Sequence, residues 1–149
     1  MGCAVNGWDA ANPQKLDIYA HQFNIFTHEN DLKPDSVLDV TASRKLVTEG
    51  GDQTAVAISL NKGASLLKYC MENGIKLHGH VLVWHNQTPE AFFHEDYNTA
   101  KPYLSREAML GRLENYIKTV LTTIQTEYPG VVVSWDVVNE AVADGSSNL

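Results

Sequence analysis

Cysteine is nearly absent. Two thiols in 149 residues, Cys3 and Cys70, cannot form a disulfide framework; they read as buried thiols and say little about redox compartment. No apolar run approaches the length needed to cross a bilayer, so no membrane span is expected. Basic residues are the minority. The 11 Lys and Arg stand against 18 Asp and Glu, and the formal charge of −7 argues against a nucleic-acid surface. That balance fits an uncharged substrate, although a modest acidic excess also serves solubility alone. Low-complexity segments and internal repeats are lacking. No secretory leader pattern opens the sequence, where Met1 runs at once into GCAV. What remains is ordinary for a globular domain: 44% hydrophobic and 19% charged residues, in a length that builds one core.

The order of elements is that of a parallel α/β unit. Gly2 to Val5 reads as a short strand. Asn12 and Pro13 are an N-cap and a first-turn proline, and Leu16, Tyr19, Ala20 and Phe23 follow at helical spacing. A second strand is predicted at about Phe23 to Thr27, leading into the polar loop HENDLKP. From Pro34 to Asp52 the pattern is loose, with Gly50-Gly51 as a turn signal. Val56, Ile58 and Leu60 alternate and suggest an accessory strand. Asn61 is read as the cap of a helix that stops at Asn73-Gly74, and Ile75 to Trp84 as the third core strand. Leu104 to Tyr128 is the clearest helix, with Ser105 as N-cap, Pro129-Gly130 as stop, and an apolar stripe of Leu110, Leu113, Ile117, Val120 and Ile124. The fourth strand is VVVSWDVVNE, Val131 to Glu140. The tail 143–149 is polar, with glycine and serine, and reads as a cut end or linker. Four strands alternating with three helical segments predict a parallel sheet, with no helix in sequence to cover the fourth strand.

Two stretches carry chemistry. VVVSWDVVNE is a continuous apolar run, the pattern of a parallel strand buried on both faces, and it ends in amide and carboxylate. In a (β/α) barrel the reactive groups sit at the C-terminal ends of strands, where Asn139 and Glu140 fall. A glutamate among apolar strand ends loses solvation, its pKa rises, and it becomes fit to act as a general acid. The plainer reading is a carboxylate capping the next turn. Alternation would send Asn139 and Glu140 to opposite faces, so regular strand geometry is expected to stop or bulge at about Val138–Glu140.

The second stretch, KLHGHVLVWHNQTPEAFF, places His78, His80 and Trp84 on one face by the same alternation and turns His85 away. An indole beside imidazoles and an amide suits a sugar ring, whose C–H groups pack on the aromatic face while its hydroxyls hydrogen-bond. Core packing of Trp84 and satisfied buried histidines are the plainer alternatives. A His78-x-His80 pair on a strand is also the spacing of metal-dependent barrel hydrolases. That reading needs further ligands such as His85 or Asp136, and Trp84 would crowd a metal there.

Taken together, GCAVN, FNIFTHENDLKPD, GHVLVWHNQTP and SWDVVNE resemble, in that order, glycoside hydrolase family 10, the endo-β-1,4-xylanases. The resemblance covers essentially the whole chain but only the first half of the family's barrel. It implies an α/β fold, the first half (strands 1–4) of a (β/α)8 TIM barrel, to be completed by a second segment or chain carrying strands 5–8. It implies retaining hydrolysis of xylan and xylo-oligosaccharides, with no cofactor and no catalytic metal. Glu140 would be the acid/base, with Asn139 on the sugar's 2-hydroxyl. Glu29, Asn30 and Lys33 would bind a glycone-side xylose, a Glu29–Lys33 ion pair helping to hold them. His80, Trp84 and Gln87 would line subsites near the cleaved bond, with Asp136 and His85 as supports. The nucleophile, a glutamate of a later strand, would lie outside this chain. A secreted, periplasmic or cell-surface parent is implied, and a non-catalytic xylan-binding fragment is the alternative outside the enzymes. One departure stands out: the family's Gln-x-Pro-x-Trp pattern has Ala91 at its last position here, which removes an apolar contact beneath the loop.

Overall fold

The computed structural model of the chain describes residues 1–142. The stretch 143–149, read above as a cut end or linker, lies outside the described residues. Four parallel strands, β1 (Gly2–Val5), β2 (Ile25–His28), β3 (Lys76–Gly79) and β4 (Val132–Trp135), lie side by side in sequence order. In register, Gly2 pairs with Ile25, Phe26 with Leu77, and Gly79 with Trp135. Each successive strand is reached through helical crossovers, the connection that parallel pairing demands.

The helices are α1 (Gly7–Ala10), α2 (Pro13–Gln22), α3 (Pro34–Val37), α4 (Val40–Gly50), α5 (Ala64–Asn73) and α6 (Arg106–Glu127). Asn12 caps α2 as predicted, its Oδ1 accepting from the Gln14 and Lys15 amides at 3.1 and 3.3 Å. Ser105 caps α6 through the Ala108 amide at 3.2 Å. The core lies between helices and sheet: Phe26 and Leu77 from the strands meet Leu16, Leu66, Leu67, Cys70, Val120 and Ile124 from the helices. Each such side chain contributes about 1.5–3 kcal/mol by leaving water. Gly79 lets β4 approach, because a Cβ there would stand 2.3 Å from the Trp135 ring.

Several expectations are corrected. The loose region from Pro34 to Asp52 is mostly helical: Asp39 caps α4 through the Ala42 amide at 2.9 Å, Ser43 and Val47 turn inward, and Gly51 ends the helix at φ +73°. The accessory strand at Thr54–Leu60 shrinks to a single antiparallel bridge, Leu38 to Ile58. Asn61 does not cap α5, whose N-cap is Gly63 without a side-chain bond. The second strand starts at Ile25, since the Phe23 amide still donates to Tyr19 O and closes α2. The third strand stops at Gly79, well short of Trp84. The α6 stripe is rotated: Arg112, Tyr116, Val120 and Ile124 are buried, whereas Leu110 is 50% exposed. Regular pairing of β4 ends at Trp135, earlier than expected, after a register shift that skips Val133; only one bridge, Val83 to Val138, continues it.

Candidate active site

The predicted site residues gather at the C-terminal ends of the strands. Because β3 and β4 stop early, the segments beyond them run as irregular chain held side by side. The Leu82, Val83 and Asn139 amides donate to Asp136 O, Val137 O and Val83 O at 3.1, 3.0 and 2.9 Å. Glu140 follows at φ +49°, a left-handed backbone uncommon for a residue with a side chain. That turn carries its carboxylate to Trp84, whose Nε1–H donates to Glu140 Oε2 at 2.8 Å. His85 Nε2 lies 3.8 Å from the same oxygen, although alternation had turned it away; the extended geometry that argument assumed ends at Gly79. The expected desolvation of Glu140 is not found, since its side chain is 57% exposed.

Asp136 binds two imidazoles at once. His80 Nδ1 is 2.9 Å from Oδ2 and His78 Nε2 is 3.2 Å from Oδ1, while His78 Nδ1 reaches Ser134 Oγ at 2.8 Å. The hydrogen bond from His80 is the largest effect and holds the Asp136 carboxyl below its ordinary range; burial opposes it, and a weaker hydrogen bond from His78 adds to it. Both carboxylate oxygens are thus occupied by the histidines that a metal-dependent reading would use as ligands. Among the described residues, no three His, Cys, Asp or Glu side chains converge to hold a metal ion.

The ammonium of Lys33, a residue only 7% exposed, lies over the Trp84 ring. It donates to Asn30 Oδ1 at 2.9 Å and Gln87 Oε1 at 2.6 Å, and stands 5.0 Å from the Trp84 ring centre. Gln87 reaches it from a left-handed position at φ +48°. The Glu29–Lys33 ion pair expected from sequence is absent among the described residues. Glu29 is exposed and lines an open cleft with Asn6, Gly7, Trp8, Asn30 and Asp31. Asn139 is half-buried and anchored through its backbone.

Sequence reasoning passed over two supports. His28, fully buried at the end of β2, ties the loop before α5 through Gly63 O at 3.2 Å, with Asp31 Oδ2 3.5 Å from its Nδ1. Arg112 is fully buried on α6 and donates to Gln53 O, Phe92 O and His94 O at 2.8, 2.7 and 2.9 Å, fixing the loop below the site. An arginine inside an apolar stripe was the available signal. An apolar cavity of about 130 Å³ lies under Trp84, lined in part by Phe92 and Phe93. The half-buried Ala91 shares their short 3-10 turn.

This grouping at the strand ends, with Glu140, Trp84, Gln87 and Lys33 in contact, can be compared with known proteins. The model of glycosyl hydrolase family 10 matches residues 1–149. The chain belongs to that family. It is 42% identical over 146 residues to endo-1,4-beta-xylanase B of Butyrivibrio fibrisolvens, covering 98% of this chain and 23% of that enzyme. It is 37% identical to endo-1,4-beta-xylanase Y of Acetivibrio thermocellus, covering 99% of this chain and 13% of that one. Among solved structures, the CBM22-1–GH10 modules of Clostridium thermocellum endo-1,4-beta-D-xylanase 10B, complexed with xylohexaose, align with a TM-score of 0.86 at 37% identity, over 96% of this chain and 26% of that one. An intracellular xylanase of Thermoanaerobacterium saccharolyticum, complexed with xylotetraose, aligns at 0.76 and 32% identity, over 96% and 40%. The family 10 chain therefore spans well under half of these relatives. Its four parallel strands are a part of the (β/α)8 barrel, as expected from the sequence. No helix of the described residues is long and apolar enough to cross a membrane.

Proposed function

We propose that this family 10 chain supplies the acid/base and glycone-side half of a retaining endo-1,4-β-xylanase site. Glu140 protonates the leaving sugar oxygen and then activates water, with Asn139 on the 2-hydroxyl. Glu29, Asn30 and Lys33 seat a glycone-side xylose, and His80, Trp84 and Gln87 border the cleaved bond. His85 and Asp136 position their neighbours. The observation that carries the reading is the carboxylate of Glu140 fixed by the Trp84 indole N–H at 2.8 Å, beside a buried ammonium shared by two amides. Retaining hydrolysis needs a second carboxylate about 5 Å from the first. Glu29 belongs to the sugar seat and Asp136 is spent on two histidines, so the nucleophile comes from strands 5–8, on a further segment or a separate polypeptide. Xylan and xylo-oligosaccharides are the substrates, no cofactor takes part, and the parent enzyme works secreted, periplasmic or at the cell surface.

The test uses the completed barrel. Glu140→Ala is expected to slow natural xylan far more than an aryl xyloside whose leaving group needs little protonation. Equal losses on both substrates would remove the acid role.

A further inference from the structure

The first crossover carries a residue that the reading above leaves unused. Trp8 on α1 is 89% exposed, yet the backbone beneath it is tied down. Asn6 Oδ1 accepts from the Asp9 amide at 2.9 Å, and the Asp9 carboxylate accepts from Lys15 Nζ at 2.6 Å and Tyr19 Oη at 3.0 Å. Gly7 gives Asp31 room, since a Cβ there would stand 3.2 Å from Asp31 Oδ2. The indole is thus held out over solvent by a fixed turn, forgoing the burial that tryptophan usually gains. It is one wall of a cleft of about 410 Å³ whose other walls are Asn6, Gly7, Glu29, Asn30 and Asp31. An aromatic face with amide and carboxylate acceptors around it is the chemistry that holds a pyranose: C–H groups stack and hydroxyls donate. Two carboxylates in the wall disfavour an anionic ring.

Position adds to composition. Across the strand ends the order is Glu140 after β4, Trp84 after β3, Glu29 and Asn30 after β2, and Trp8 after β1. Strands lie about 4.8 Å apart, so a sugar chain running from Glu140 over the seat at Glu29 and Asn30 meets Trp8 last. Asn30 belongs to both places, lining the cleft and accepting from the Lys33 ammonium at 2.9 Å.

We infer that Trp8, with Asn6 and Asp31, forms a distal subsite that stacks one further neutral pyranose of a xylan chain, so that longer oligosaccharides bind better than short ones. The inference rests on the xylan reading of Glu29, Asn30 and Lys33. Its test labels the indole nitrogens of the 149-residue chain, assigns Trp8 with Trp8→Phe, and titrates with xylobiose and then xylotetraose. The Trp84 indole is expected to shift with both sugars and the Trp8 indole with xylotetraose only. Trp8→Ala is expected to weaken xylotetraose at least about fivefold, the scale of an aromatic stacking contact, with xylobiose unchanged; Trp8→Phe should keep most of the affinity. A shift of Trp84 with no response at Trp8 would overturn the subsite and leave the xylan reading standing. No shift at either indole with either sugar would overturn both. An amide spectrum of Trp8→Ala that superposes on the parent's away from α1 shows that the fold is intact.

Discussion

Glu140 and Trp84 depend on each other. The left-handed turn at Glu140 is what brings its carboxylate onto the indole N–H. Trp84→Phe keeps an aromatic face for sugar and deletes the donor. A hydrogen bond to a charged group contributes about 1.5–3 kcal/mol, so kcat on xylan in the completed enzyme is expected to fall roughly tenfold to a hundredfold, with KM changed little. Steady-state kinetics decide; an unchanged kcat would mean that the indole does not orient Glu140. The identities of these residues were legible through the family resemblance of GHVLVWHNQTP and SWDVVNE taken together, since an apolar run ending in amide and carboxylate is by itself open to the plainer capping reading. Their partners were less so. Charge alone pairs Lys33 with Glu29, but the ammonium turns to neutral amides, one of them on Gln87, 54 residues away. No spacing rule encodes that meeting, which depends on where β2 and β3 end.

Elements show the same division. Asn12 and Ser105 announced their helices because an N-cap is a local hydrogen bond. The rotation of α6 was hidden because a pattern of apolar residues does not anticipate a buried cation. Arg112 satisfies three backbone carbonyls, and each left without a donor costs about 1–3 kcal/mol. Arg112→Met is therefore expected to cost on the order of 3 kcal/mol or more in urea unfolding, against under ~1 kcal/mol for Leu110→Ala on the half-exposed side. A loss for Arg112→Met no larger than that for Leu110→Ala would show that the loop is held by other contacts. On α5, burial pushes the Cys70 thiol from 9.0 up to about 12. The folded chain keeps that proton more tightly than the unfolded one, so the stabilisation is complete below pH 9.0 and is lost as pH rises toward 12. Measured against Cys70→Ala, the parent's unfolding midpoint is expected to decline between pH 9 and pH 11. Equal pH dependence of the two proteins would count against a buried, neutral thiol.

At the scale of the molecule, the sheet is unfinished. Parallel sheets are covered on both faces, but here β1 and β4 each present an unpaired edge among the described residues. Val133, Val137 and Val138 are 54%, 54% and 57% exposed along the β4 side. Such edges invite pairing with further strands, and the proposed site calls for them, on a further segment or a separate polypeptide, because a retaining pair of carboxylates is not assembled by the described residues. Mixing residues 1–149 with a polypeptide carrying strands 5–8 of a family 10 relative is expected to give a one-to-one complex by sedimentation, with xylan hydrolysis in the mixture and in neither part alone. Val133→Lys puts a charge on the exposed edge. It should abolish the complex while leaving the unfolding of the isolated chain within about 0.5 kcal/mol of the parent, as exposed substitutions usually do. If residues 1–149 alone ran as a stable monomer that hydrolysed xylan, the half-site reading would fail. A nucleophile within about 5 Å of Glu140 would then have to be sought in this chain.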